Sequence, residues 1–276
     1  MRAREYTGGR IRVTYTVTVT EAYTRVLITY PSDSLTISGM MHIPFGEGPF
    51  PVVILNHGYI APERFWSGAD TWRAADYLAQ HGYLTISPDF RGLARSDQGL
   101  NLFRAGYAID SLNAVASVRS LPYADASRVG MWGHSMGGGV TSRSIVVSER
   151  VKAAVLYAPV SADDSVRRFF VSGASDPSVS PELASSLSFL LSRGNLIERV
   201  SPINHFAYVT APVSIHQGDA DTTTPPRWAQ AIRDALQANG KPVEYFEYPR
   251  QGHAFTGASW ELFNQRVVRF FDKHLK

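Results

Sequence analysis

Cysteine is absent from all 276 residues of the chain. Its absence excludes disulfide bonds, Cys-ligated zinc sites, iron–sulfur clusters and a thiol nucleophile. It does not specify a compartment, because a chain without cysteine tolerates oxidising and reducing surroundings equally. A chain of this length, in one or two domains, buries enough surface to fold without a disulfide or a metal.

Charged residues and long apolar runs are also scarce. Charged side chains make up 18% of the chain, and the net charge is only +3. Lys and Arg are scattered without forming a block, so we expect no nucleic-acid partner. No apolar run approaches the roughly 18 residues of a membrane span, and no signal peptide is visible at the start. We expect a soluble protein, cytoplasmic by default or secreted if the chain is a trimmed mature form; its oligomeric state stays open.

Short apolar runs alternate with helical segments from Pro51 onward. Residues 10–45 have the β-rich pattern of antiparallel strands, and buried strands then recur between helices. This alternation predicts an α/β fold, with a mainly parallel, doubly wound sheet preceded by antiparallel edge strands. The predicted parallel strands lie at 52–56, 83–90, 128–135, 152–159, 213–219 and 243–249.

One stretch interrupts this rhythm between the strands at 152–159 and 213–217. Residues 161–208 are about twice as long as one crossover helix needs, and they mix aromatic residues with Ser, Asp and Pro. We therefore expect a single domain over residues 1–276, with residues 161–208 inserted in it as a small cap of short helices.

A G-x-S-x-G motif occupies residues 133–137. An apolar run ends at Trp132 and a helical segment begins after Met136, which is the strand–turn–helix context of a nucleophile elbow. The flanking glycines suit a strained turn, and the helix N-terminus directs N–H groups toward developing negative charge. Ser135 is thus the candidate nucleophile; the alternative is a glycine-rich turn with an idle serine.

A serine nucleophile needs a base, and the chain has eight histidines. His253 follows the last predicted strand and precedes the last helix, the third place in the Ser…Asp…His order of such folds. His134 is excluded as the base because its backbone cannot fold its own ring onto the adjacent Ser135. The sequence therefore predicts His253 as the general base.

Several aspartates are candidates for the acid that orients this imidazole. Asp219 and Asp221 both follow the strand at 213–217, where the carboxyl ends of parallel strands collect functional groups. Asp163 and Asp164, after the strand at 152–159, are a weaker alternative.

The two donors of an oxyanion hole have candidates as well. The backbone N–H of Met136, just after the serine, is one donor. The loop at 56–59 contributes the other, and we assign it to the backbone N–H of Tyr59, since Gly58 lets the chain turn toward the site. An ordinary strand–loop turn is the alternative.

Several segments together resemble the α/β-hydrolase superfamily from about Thr36 onward: PFPVVILNHGY, DFRGLARSD, VGMWGHSMGGG, HQGDADTTTPP and QGHAF. Within it, the chain is similar to single-domain esterases related to dienelactone hydrolases and to the catalytic domain of prolyl-oligopeptidase-type peptidases. In that group the acid is the last residue of a G-x-x-D pattern and is followed by a proline. The resemblance therefore implies that Asp221, rather than Asp219, is the acid.

Two departures from these families narrow the expected activity. Dienelactone hydrolases use a cysteine nucleophile, and this chain has none. Prolyl-oligopeptidase enzymes carry a β-propeller for which 276 residues leave no room, so we expect peptidase activity only as a weaker alternative. The GYIA loop at 58–61 together with the elbow also resembles cutinase-like polyester hydrolases, although the insertion at 161–208 argues against an open polymer cleft.

The sequence as a whole predicts a serine carboxylic-ester hydrolase that acts on small or aryl esters through an acyl-enzyme. A cutinase-like polyester hydrolase, a peptidase and a non-catalytic binding protein on the same fold are the alternatives. Tyr59, Phe65 and Trp66 are expected to wall the acyl pocket with Phe169 and Phe170 closing over it; plain packing is the competing interpretation. We expect a small-molecule ester as partner, and neither a metal nor an organic cofactor.

Overall fold

Nine strands form one sheet in this computed structural model, which describes residues 1–163 and 196–276. They are β1 (Arg12–Val19), β2 (Tyr23–Ser32), β3 (Leu35–Pro44), β4 (Phe50–Asn56), β5 (Leu84–Pro88), β6 (Ala124–His134), β7 (Val151–Tyr157), β8 (Val213–Gly218) and β9 (Val243–Tyr248). The order across the sheet is β1-β2-β3-β5-β4-β6-β7-β8-β9. Pairing is antiparallel from β1 to β5 and parallel from β5 through β4 to β9, which confirms the predicted α/β fold with antiparallel edge strands.

Helices cover both faces of this sheet. The described ones are α1 (Trp72–Gln80), α2 (Ala105–Ser117), α3 (Met136–Val147), α4 (Leu196–Val200), α5 (Pro226–Ala238) and α6 (Gly257–Leu275). One apolar cluster joins α2, α3 and α5 to the sheet, and a second joins α1 and α6 to it. The sheet is therefore the middle layer of three.

Strand β4 shows how the sequence encodes the two layers. All seven of its residues are buried, as expected for a parallel strand covered on both faces. Successive side chains point to opposite faces of a strand. Val52 and Ile54 accordingly join the cluster with α2 and α3, whereas Val53 and Leu55 join the cluster with α1 and α6.

Strand β1 departs from the simplest interpretation of its alternating sequence. It forms the edge of the sheet, and Val13, Tyr15, Val17 and Val19 are 41–63% exposed. Its register against β2 shifts twice, an irregularity typical of edge strands. Alternation therefore identified the strand without indicating a buried face.

The predicted cap at 161–208 lies largely outside the described residues. Phe169 and Phe170, the aromatic residues expected to close over the pocket, are among those outside. Helix α4 and the 3-10 helix Pro202–Tyr208 belong to its described end. Phe206 is buried there in the cluster formed with α3 and α5. The cap itself stays a prediction.

A buried ion pair ties the loop after β5 to α2. Arg91 directs Nη2 to Asp110 Oδ1 at 2.8 Å and Nε to Oδ2 at 3.0 Å, and its backbone N–H donates to the same carboxylate at 2.9 Å. Ser32 adds a hydroxyl donor at 2.7 Å. Because every contact is buried, the carboxylate compensates a charge that has little access to water.

We expect Asp110→Ala to lower the free energy of unfolding by about 3–5 kcal/mol, because it leaves the Arg91 guanidinium buried without its counter-ion. Asp234→Ala is the control, since Asp234 pairs with Arg233 at 2.7 Å on the surface. That change should cost less than about 1 kcal/mol. Urea denaturation measures both values. Equal losses in the two variants would contradict the importance of the buried pair.

Two buried histidines make stability depend on pH. Burial, with Arg25 beside His42 and Arg266 beside His216, lowers the pKa of each imidazole to about 3. Each histidine of the unfolded chain has a pKa of about 6.5, so below that pH the unfolded state binds more protons than the folded state. The free energy of unfolding therefore falls as the pH drops from about 6.5 toward 3.

The expected slope is up to about 1.4 kcal/mol per pH unit for each histidine. Urea denaturation of the native chain and of His216→Gln at a series of pH values measures it. His216→Gln should show a shallower slope, whereas the control His81→Gln, at an exposed site, should keep the native one. A slope that His216→Gln leaves unchanged would refute this assignment.

Candidate active site

Ser135 occupies a strained turn between β6 and α3. Its φ is 54° and its ψ is −115°, a left-handed backbone that residues other than glycine seldom adopt. Neighbouring backbone groups hold it there. Its N–H donates to Tyr157 O at 2.9 Å, and its carbonyl accepts from Gly138 N at 3.0 Å and from Val160 N at 3.1 Å. The conformation is thus held by α3, by β7 and by the loop after β7.

Steric hindrance explains why both positions of the motif are glycine. A Cβ on Gly133 would lie 2.2 Å from Gly137 O, and a Cβ on Gly137 would lie 1.9 Å from Asn56 O. Both distances are far below van der Waals contact. Glycine is therefore required at each position for the turn to close and for α3 to approach β4, as the motif predicted.

His253 lies in the loop that follows β9 and contacts Asp221. Its Nδ1 is 2.8 Å from Asp221 Oδ2 and 3.2 Å from Thr224 Oγ1. Asp221 is buried in the loop after β8, where it accepts the backbone N–H groups of Thr223 at 2.8 Å and Thr224 at 2.9 Å. The Thr224 hydroxyl donates to it at 2.7 Å.

These donors keep the Asp221 carboxyl ionised. Burial by itself would raise its pKa, but the hydrogen bonds from His253 and Thr224 outweigh burial and hold the pKa well below its ordinary value. An ionised carboxylate at Nδ1 leaves the proton on that nitrogen, so Nε2 of the neutral imidazole is free to act as a base.

The other candidate acids make different contacts. Asp219 is exposed and accepts the backbone N–H of Arg250 at 2.6 Å. Asp163 accepts the Ser201 hydroxyl at 3.1 Å, and Asp164 lies outside the described residues. Of the two carboxylates that the residues alone left open, Asp221 is the one that contacts His253.

The loop after β4 passes directly beside the serine. A Cβ on Gly58 would lie 3.3 Å from Ser135 Cβ, and the Gly58 N–H donates to Asp70 Oδ2 at 2.6 Å. Tyr59 follows, with its side chain 70% exposed. Met136 is buried at the first position of α3, where backbone N–H groups have no partner within the helix. Ser135 is thus flanked by both backbone segments predicted to donate hydrogen bonds.

The predicted pocket aromatics are spread around this loop. Phe65 packs its ring against His57, with ring centroids 4.6 Å apart, and it is half-buried. Trp66 is 51% exposed. Phe65 therefore has a packing partner of its own, and Trp66 and Tyr59 present aromatic surface to solvent.

Sequence reasoning missed Asp70 and the contacts of His134. The His134 ring lies 2.9 Å from both Asp70 oxygens through Nδ1 and 3.0 Å from the His253 carbonyl through Nε2. The only signal at Asp70 is its place in a G-A-D-T segment before a helix, a pattern common at helix starts. Nothing in that pattern indicates a partner 64 residues away.

Residues 1–163 and 196–276 contain neither a candidate metal site nor a candidate membrane span. No group of three or more His, Asp or Glu side chains there could hold a metal ion. None of the helices in these ranges has the length and apolar character needed to cross a bilayer.

The family model of the prolyl oligopeptidase family matches residues 70–276, a span that contains Ser135, Asp221 and His253. The chain belongs to the prolyl oligopeptidase family. It is accordingly a serine hydrolase with the α/β-hydrolase fold that its structural neighbours share. The match begins at Asp70, so the loop that carries Tyr59 precedes it.

Among similar proteins, the Bacillus subtilis protein named as uncharacterized peptidase YuxL is 25% identical over 264 residues, which cover 88% of this chain and 38% of YuxL. Acetyl xylan esterase 1 from Thermoanaerobacterium sp. superposes with a TM-score of 0.69 at 17% identity, covering 98% of this chain and 90% of that one. The acylaminoacyl peptidase of Pyrococcus horikoshii gives 0.70 at 19% identity, covering 93% and 42%. The chain thus spans well under half the length of both peptidases.

Two alanine substitutions test the steric requirement for glycine in the elbow. We expect Gly133→Ala to lower stability by about 1–3 kcal/mol and to slow fluorophosphonate labelling of the chain about 100-fold, because the new methyl displaces the turn. Gly252→Ala is the matched control, since a Cβ there meets nothing within 4 Å. Thermal unfolding and labelling rates measure both effects. A tolerated Gly133→Ala would refute the steric requirement.

Proposed function

We propose that this protein is a serine carboxylic-ester hydrolase that acts on small or aryl esters through an acyl-enzyme intermediate. The observation that carries the proposal is the contact of 2.8 Å between His253 Nδ1 and the buried Asp221, with the His253 carbonyl 3.0 Å from Nε2 of His134, the residue before Ser135. This is the arrangement of nucleophile, base and acid that activates a serine hydroxyl.

In the proposed first step, Ser135 Oγ attacks the ester carbonyl while His253 Nε2 takes its proton. Asp221 keeps the other ring proton on Nδ1 and stabilises the imidazolium that forms. The same imidazolium then protonates the departing alcohol, which leaves Ser135 acylated. His253 next activates a water that attacks the acyl-enzyme, and release of the acid restores the hydroxyl.

The negative charge of each tetrahedral intermediate needs donors that are already in place. We assign them to the backbone N–H groups of Met136 and Tyr59. Support for Met136 is its position at the N-terminus of α3, where the helix dipole favours negative charge. Support for Tyr59 is the close approach of Gly58, its neighbour, to Ser135.

The substrate class rests on two observations. The exposed rings of Tyr59 and Trp66 supply apolar surface for an acyl or aryl group, with Phe65 behind them and with Phe169 and Phe170 assigned to the cap. One of the neighbours matched over nearly the whole of both chains is an acetyl xylan esterase. In this proposal residues 161–208 form a cap within one domain of residues 1–276 and close over a small ester.

A peptidase is the second candidate, and the family match together with the relative named as a peptidase favours it. The same triad cleaves amides when the amine leaving group is protonated by His253. A panel of p-nitrophenyl esters of increasing acyl length, a feruloyl ester and aminoacyl p-nitroanilides separates the two candidates. Faster turnover of the anilides than of every ester would replace the esterase proposal with the peptidase.

The roles of the triad are tested on p-nitrophenyl acetate. Ser135→Ala and Asp221→Asn should each lower kcat on the order of 10⁴-fold or more, because they remove the nucleophile and the group that sets the imidazole tautomer. Asp219→Asn is the matched control in the same loop, since its remaining Oδ1 can still accept the Arg250 N–H. It should stay within about threefold of the native rate. Native turnover in Ser135→Ala, or equal losses in the two Asp variants, would overturn the assignment.

A further inference from the structure

A second pair of carboxylate and imidazole lies next to the proposed triad. His134, the residue before the nucleophile, is buried, and its Nδ1 is 2.9 Å from both oxygens of Asp70. Its ring centroid is 4.7 Å from that of His253. The mechanism proposed above uses neither Asp70 nor His134, so it does not explain why this pair lies beside the triad.

Hydrogen bonding and the low pKa of Asp70 together favour an ionised pair. The Nδ1 of His134 faces a carboxylate, and its Nε2 is 3.0 Å from the carbonyl oxygen of His253. With Asp70 ionised, its carboxylate and the His253 carbonyl both only accept, so both ring nitrogens of His134 carry a proton. The Asp70 carboxylate outweighs the effect of burial and raises the pKa of His134, while His134 and the Gly58 N–H outweigh burial and lower the pKa of Asp70 to about 2.

Asp70 connects the pair to the loop after β4. Its Oδ2 accepts the Gly58 N–H at 2.6 Å, and the next residue along the chain is Tyr59. Asp70 itself has a φ of 68°, a left-handed backbone just before α1. A strained conformation of this kind persists only where the surrounding contacts impose it. The carboxylate therefore restrains the peptide next to the proposed oxyanion donor.

His134 connects the pair to the loop of His253. Besides its contact with the His253 carbonyl, its ring stacks on Tyr157 with centroids 4.4 Å apart. The Tyr157 hydroxyl in turn accepts the backbone N–H of Phe255 at 2.5 Å. The backbone of the His253 loop is thus held at the carbonyl of His253 and again two residues later.

We propose that Asp70 and His134 are positioning residues: a partly buried ion pair that holds the Gly58–Tyr59 loop and the His253 loop in register with Ser135. The inference deepens the proposed function and rests on it. This pair includes the residue before the nucleophile. It restrains the Gly58–Tyr59 loop on one side and the loop of the base on the other. Small displacements of such groups are costly to the rate, because proton transfer and oxyanion stabilisation both depend on distance.

Two substitutions of Asp70 separate charge from hydrogen bonding. In Asp70→Asn, Oδ1 can accept from Gly58 while the amide donates to Nδ1 of a neutral His134, so Nε2–H still reaches His253. In Asp70→Ala both connections are lost. We expect kcat on p-nitrophenyl acetate to fall about 100-fold in Asp70→Ala and less than about fivefold in Asp70→Asn, with KM within about threefold of native in both.

The control is Asp76→Ala in α1, where the carboxylate contacts Tyr23 and Gln80 away from Ser135. It should keep kcat within about twofold of native. Thermal unfolding reports whether each variant is folded. If Asp70→Ala is not, His134→Gln takes its place: this side chain has no charge and reaches at most one of the two partners, so kcat should fall about 10-fold or more.

NMR of ¹⁵N-labelled histidine supplies a readout that a purely structural role would not move. The native protein should show His134 with protons on both ring nitrogens at neutral pH, and Asp70→Asn should show a single proton on Nε2. A neutral His134 in the native protein would overturn the ion pair. Native kcat in folded Asp70→Ala, or in His134→Gln, would overturn the positioning role.

Failure of the proposed function has a different signature. If the native protein turns over no ester, the rate at which a fluorophosphonate labels Ser135 replaces kcat in the same comparison, since labelling requires the same base and oxyanion donors without an ester substrate. A native protein that neither turns over nor labels would refute the serine-hydrolase chemistry and, with it, the positioning role. Labelling of Ser135 at equal rates in the native protein and in Asp70→Ala would refute the positioning role alone.

Discussion

The left-handed backbone of Ser135 is the constraint on which the rest of the site depends. Glycine at two positions allows this turn, because a Cβ on Gly133 would meet Gly137 O in α3 and a Cβ on Gly137 would meet Asn56 O at the end of β4. The same absence of side chains lets α3 approach Asn56 at the end of β4, so the loop that follows β4 passes beside the serine. A strained turn thus determines which backbone segments can surround the hydroxyl, and the parallel sheet supplies the rigid frame that maintains the strain.

Parallel pairing brings the other groups to that turn. Strands β4, β6, β8 and β9 all end at one edge of the sheet, so the loops that follow them converge there. Two carboxylate–imidazole pairs result, Asp221 with His253 and Asp70 with His134. In both pairs, burial would neutralise an isolated carboxyl, and hydrogen bonds with an adjacent imidazole keep it charged. A network of buried polar groups stabilises the structure best when all its donors and acceptors have partners. The two pairs therefore depend on each other's geometry.

The sequence predicted the fold, and it predicted a Ser–Asp–His site, through local signals. The G-x-S-x-G motif marks a turn whose steric demands are local, and alternating apolar runs mark buried parallel strands. The sequence was less informative where two candidate residues, or two orientations of a strand, have the same local pattern. Asp219 and Asp221 follow the same strand two residues apart, and only the path of the loop directs Asp221 to His253 and Asp219 to Arg250. Likewise, the alternation in β1 predicts a strand whichever way its apolar side chains face.

What the sequence by itself determined is therefore the elbow, the order of the candidate partners along the chain, and the exclusion of a thiol nucleophile, because cysteine is absent. Only the tertiary structure showed that Asp221, the acid implied by the family resemblance, contacts the imidazole, and that His134 pairs with Asp70 across 64 residues. The physical reason is that steric and periodic preferences act between near neighbours in the chain and leave a pattern there. Hydrogen bonds between distant side chains depend on where the backbone brings two atoms within about 3 Å, which no local pattern records.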